Sequence, residues 1–149
     1  VSDPAATVPV MVYNPWRALR YLGERVHLIW EPLEPGILAE TDGEGTIWMD
    51  PDQYQVQRRC TLAHELAHIE LGHNGGCTGP DERAATHLAA RWLIDMDRLL
   101  DAISWTEELE EAADVLWVDM PTLEARLLGL TAGERQRIVD LAARLDKAS

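Results

Sequence analysis

Apolar positions follow three successive rhythms along the chain. In NPWRALRYLGERV (14–26), Trp16, Leu19 and Leu22 recur at the spacing of one helix face, with Asn14 able to cap, Pro15 suited to the first turn and Gly23 to the end. The runs VHLIW (26–30), GILAET (36–41) and GTIWMD (45–50) are short and separated by Pro-Gly and Asp-Gly-Glu-Gly turn signals, which predicts a small, mostly antiparallel sheet. Helical spacing then returns for a helix over about 54–72, where Leu62, Leu66 and Ile69 form a core stripe and Ala63 and Ala67 permit close packing. A Gly-rich stretch, GHNGGCTGP, ends it, and a second helix is expected from Pro80-Asp81 to about residue 103.

The remainder reads as three short helices, signalled by capping boxes at Ser104-x-x-Glu107 and Thr131-x-x-Glu134 and by Pro121 at a helix start. The expected class is therefore α+β: a flexible tail over 1–9, a domain over 10–103 in which the histidine-rich helix packs on the helix after it, and a helical extension over 104–149 packed on that domain. Trp30, Trp48, Trp92 and Trp117 fall at apolar periodic positions and are expected in the core.

Composition narrows the function. The chain of 149 residues has a formal net charge of -13, and its basic residues are arginines with Lys147 as the one lysine. That balance repels phosphate backbones, so neither nucleic acid nor an anionic membrane is an expected partner. With no apolar run long enough to span a bilayer and no secretory signature at the start, a soluble cytoplasmic protein is expected. Cys60 and Cys77 are too few for a disulfide scaffold and are expected as free or buried thiols.

The chemistry concentrates in RRCTLAHELAHIELGH (58–73). HELAH puts His64 and His68 one helical turn apart on one face, where one metal ion can take a nitrogen from each, and places Glu65 beside the pair as a general base. Zinc brings water into its nucleophilic form near neutral pH, and a carboxylate can take the proton and pass it to the leaving amine. A third protein ligand is needed. His73 is one place out of register for a histidine third ligand, whereas Glu82, opening the next helix, is placed for an antiparallel return; Asp81 is its nearest substitute. His87 is expected to face elsewhere or to support a ligand, Cys60 to be a small buried residue, Glu70 and His73 to lie at the surface, and Tyr54 is a weak oxyanion candidate.

NPWRALRYLGERVHLIWEPL, GTIWMDPD, QRRCTLAHELAHIELGH and ERAATHLAARWLI together resemble the ImmA/IrrE family of zinc metallopeptidases of bacteria and their phages. Leu88 and Asp95 depart from residues common in that family, Phe and the Met-Pro ending of the helix. The resemblance implies a minimal zincin-like fold, one Zn²⁺ on His64, His68 and Glu82, Glu65 in catalysis, and a helix-turn-helix-like C-terminal part. It also implies narrow proteolysis of a regulatory protein, such as a phage or mobile-element repressor with a helix-turn-helix. GTIWMD is the expected edge strand for an extended substrate. Acidic residues outnumber basic ones over 104–149, so that segment is expected to pack or to recognise substrate, not DNA. The competing class is a non-enzymatic zinc-containing regulator that binds and inactivates a repressor or another protein partner.

Overall fold

The computed structural model of the chain describes residues 12–73 and 78–148. The expected tail over 1–9 and Cys77, with any pairing it makes, lie outside the described residues. Within them the fold is α+β. Helix α1 (Pro15–Leu22) and a 3₁₀ turn (Gly23–Arg25) lead into β1 (His27–Trp30), β2 (Ala39–Thr41) and β3 (Thr46–Met49). Six helices follow: α2 (Gln55–Glu70), α3 (Gly79–Leu93), α4 (Met96–Trp105), α5 (Leu109–Leu116), α6 (Met120–Leu128) and α7 (Ala132–Ala148). None of the helices described is long and apolar enough to cross a membrane.

Local chemistry starts α1 as expected: the Asn14 carboxamide accepts from the backbone N–H groups of Trp16 and Arg17, and Gly23 closes the helix at φ 57°. The sheet corrects the sequence expectation. Its order is β1-β3-β2, with β3 parallel to β1 and antiparallel to β2, so it is mixed, and GTIWMD supplies its middle strand and not an edge. The parallel arrangement follows because residues 31–38 carry the chain across β3 before the β2–β3 hairpin turns back. That hairpin closes on the Asp42 carboxylate, which accepts from the N–H groups of Glu44 and Thr46. Gly45 stands at φ 112°, and a Cβ there would run into the Arg25 carbonyl oxygen, so the position requires glycine.

Helix α2 separates two clusters of buried side chains. Leu62 and Leu66 pack on Val26, Ile47 and Met49 beneath α1 and the sheet. Its other face, Cys60, Ala63 and Ala67, meets Ala85, Ala89 and Leu93 of α3 and continues into Leu99, Ala112, Leu116 and Leu123. Small residues on both helices let α2 and α3 approach closely, and this fixes where the start of α3 falls relative to the histidines.

Two further expectations change. The single helix to residue 103 is broken at Ile94, whose backbone is extended, and Asp95 caps α4 by accepting from the Arg98 N–H at 2.8 Å. The Arg126 Nε donates to the Ile94 carbonyl at 2.7 Å and occupies the break. Ser104 is consequently inside the last turn of α4, donating to the Asp101 carbonyl, and no Ser104–Glu107 box forms; Thr106 accepts from the Glu108 N–H instead. Trp30 and Trp117 are 43% and 57% exposed and so are not core residues. Trp117 ends α5 in the left-handed region at φ 60°.

The Thr131–Glu134 box does form, with both reciprocal hydrogen bonds. Its carboxylate also takes bonds from Arg91 at 2.9 Å and from Arg126, which is 2% exposed, at 2.8 Å. Glu134→Gln is expected to lower stability by about 3 kcal/mol near neutral pH, measured by urea denaturation, because it strands a buried guanidinium. Arg126 and then Arg91 hold the Glu134 carboxyl well below the usual carboxylate range. The stabilisation is therefore complete above the unfolded value near ~4.3 and is lost as pH falls through the lower folded value. The gap between wild type and Glu134→Gln should stay constant from pH 7 to about 5 and close only in stronger acid.

Candidate metal centre

His64 and His68 lie about 6 Å apart along the axis of α2 and share a face. Thr78 caps α3 by accepting from the Asp81 N–H, Pro80 occupies its first turn, and the acidic Asp81 and Glu82 follow where the helix dipole favours negative charge. Close packing of the alanine faces brings that first turn against the histidines. The Glu82 carboxylate stands 3.1 Å from the His64 Nε2 and 2.9 Å from the His68 Nε2, and the two Nε2 atoms are 3.0 Å apart. One ligand atom from each of the three side chains lies within 4.8 Å of the others.

This donor set fits a cation. Ligands at ~2.1 Å around a tetrahedral ion are about 3.4 Å apart, so each pair here would open by only a few tenths of an ångström. Burial, reinforced by the His64 ring, lowers the His68 pKa against the opposing pull of Glu82, which keeps the neutral, ligating form of the ring.

Glu65 is 7% exposed and lines a cleft of about 430 Å³ together with His64, Glu82 and residues 36–39. Burial, followed by the charges of Glu82 and Glu40, pushes its carboxyl up to about 7. A carboxyl in that range exchanges a proton readily near neutral pH.

The other singled-out residues separate clearly. Cys60 is free and buried, accepts from the Asp119 N–H at 3.4 Å, and is not among the converging ligand atoms. His87 faces the end of α6, where a Cβ on Gly129 would strike its ring. Tyr54, at 87% exposure, is outside the cleft lining, and Glu70 is exposed as expected.

His73 was expected at the surface, yet its side chain is 13% exposed and its Nδ1 is 2.9 Å from the His68 Nδ1. Extending the helical register past Glu70 misplaces it. Gly72, at φ 73°, ends the helix, and the His73 N–H folds back onto the His68 carbonyl. Gly72 in the sequence was the available signal. The His73 Nε2 in turn faces the Asp81 carboxylate at 3.4 Å. These distances accommodate one tautomer pattern: His68 donates from Nδ1 to His73 Nδ1, and His73 offers its Nε2–H to Asp81.

A small α+β domain whose two packed helices present a His-His-Glu group, with a buried glutamate beside it, has the make-up of a metallopeptidase. The family profile described as the IrrE N-terminal-like domain, Peptidase M78, matches residues 25–128, and the chain belongs to that family, as its motifs indicated. Searches of curated proteins and of solved structures gave no significant match.

Proposed function

We propose that the protein is a zinc-dependent endopeptidase that cleaves a regulatory protein, such as a helix-turn-helix repressor of a phage or mobile element, in the bacterial cytoplasm. The observation that carries this is the convergence of His64, His68 and Glu82, with Glu65 beside His64 and Glu82 in the lining of one cleft. Two imidazoles, a carboxylate and an open position make a donor set suited to catalytic zinc. Zinc held there would supply Lewis acidity and make water nucleophilic near neutral pH.

Glu65 takes the proton of the attacking water on its carboxylate and delivers it to the leaving amine nitrogen. His73 and Asp81 fix the ring orientation of His68, as outer hydrogen-bond partners of ligating histidines do. The substrate strand takes the free edge of β2, since β3 is paired on both sides and residues 36–39 already border the cleft.

The test is incubation of the purified protein with a helix-turn-helix regulator identified in a gene next to its own. Cleavage at a defined bond, abolished by a chelator and restored by one equivalent of zinc, is expected. Purified protein that takes up no zinc, or cleavage indifferent to the chelator, would refute the proposal. The acidic surface also suits a non-enzymatic regulator that sequesters a basic partner. That alternative predicts derepression with the regulator left intact.

A further inference from the structure

A larger cavity, of about 750 Å³, shares no lining residue with the metal cleft. Arg17, Arg58, Arg59 and Arg98 line it, and among the described residues no aspartate or glutamate does. In a chain with twice as many acidic as basic residues, Arg58, Arg59 and Arg98 around one space without a carboxylate among the described lining residues make an unbalanced arrangement.

The individual side chains sharpen the imbalance. Arg59 is 7% exposed, and its guanidinium bonds are to main-chain carbonyls, those of Trp117 at 2.7 Å and Tyr13 at 3.2 Å. Arg58 reaches the Pro51 carbonyl and covers the Trp30 ring, while its buried Nε has no hydrogen-bond partner. The Arg98 guanidinium makes no hydrogen bond or ion pair among the described residues, and none of the ion pairs found among them involves Arg58 or Arg59. Burial lowers the Arg59 pKa against the opposing pull of Cys60, and the Arg98 charge adds to the lowering.

We infer that this cavity binds a small organic polyanion, with at least two negative charges in phosphoryl or carboxylate groups. Guanidinium forks match both groups in a bidentate geometry. The volume exceeds that of a simple ion, and the exposed Trp117 ring offers a flat apolar surface for the rest of the molecule. The inference does not depend on the metal centre, although the two sites share α2: Gln55, Arg58 and Arg59 face the cavity, and Thr61, His64 and Glu65 face the cleft.

The experiment is calorimetric titration of the full zinc-loaded chain with pyrophosphate and, separately, with tricarballylate. One-to-one binding by either is expected, and whichever binds more tightly identifies the group preferred. Arg98→Gln and Arg58→Gln should each weaken binding tenfold or more, and Arg144→Gln, on α7 and outside the described cavity lining, should leave it unchanged. Because the Arg98 side chain has no hydrogen-bond or ion-pair partner among the described residues, its variant should keep the wild-type melting temperature. Absence of binding by both probes overturns the inference. So does binding that is equally tight in Arg98→Gln and wild type, which would place the probe elsewhere, including on the zinc.

Discussion

Replacing Glu65 by Gln is expected to leave one zinc ion bound per chain and to lower peptide-bond cleavage by about 10²–10⁴-fold, the usual share of a general acid–base group. Glutamine preserves the shape of the side chain but cannot accept the proton of an attacking water. The three ligand side chains are untouched, so zinc content measured by atomic absorption should match wild type. Because Glu65 is 7% exposed beside Glu82 and Glu40, removing its charge relieves repulsion, and the variant should melt no lower than wild type. Loss of activity with zinc and fold intact assigns the chemistry to Glu65. Undiminished cleavage by Glu65→Gln would remove it from the mechanism, and derepression that persists without cleavage would favour the sequestering regulator.

The second large effect distinguishes Glu82 from its neighbour in sequence. Glu82→Gln should weaken zinc binding by more than the roughly 10–100-fold that an outer hydrogen-bond partner costs, since it replaces a charged group that stands 2.9 Å from the His68 Nε2. Asp81→Asn and His73→Leu should each fall within that ~10–100-fold range, because they act through His68. His73→Asn, which can still accept from the His68 Nδ1–H, should recover part of the loss. Competition with a chromophoric chelator measures all four. If Asp81→Asn proved more damaging than Glu82→Gln, the ligand would be Asp81 and the rotamers at the start of α3 would have to exchange. Replacing zinc by cobalt adds an independent readout, because visible absorption reports ligand geometry. His73→Leu should alter that spectrum, whereas a variant that merely loosened the fold would lower the melting temperature and leave the bound spectrum unchanged.

The extent to which local sequence carries this fold can be judged residue by residue. Asn14, Thr131 and Glu134 make the capping bonds that their spacing predicted, because a cap involves groups only two or three residues apart and is settled by local hydrogen bonding. Leu62, Leu66, Ala63 and Ala67 are buried on the faces that helical periodicity assigned to them. Within HELAH, the four-residue step alone puts both histidines on one side of α2, and the same local geometry leaves Glu65 beside them.

The remaining features arise from contacts between distant segments. Nothing within GTIWMD records that β1 and β2 both pair with it, since strand order is set by which edges are covered when the sheet packs on α2. The break at Ile94 is stabilised by Arg126, 32 residues further on, and periodicity through residue 103 could not reveal it. Gly72 turns the chain so that His73 meets His68, while the alanine faces of α2 and α3 bring Glu82 onto the same histidines. The four arginines converge only because α1, the start of α2, α4 and the end of α5 meet around one space. Helices and caps are thus written locally, where short-range hydrogen bonds and side-chain period decide. The third metal-binding side chain, the support behind His68 and the cationic cavity depend on how whole elements pack, an energy spread over contacts that no short window of sequence contains.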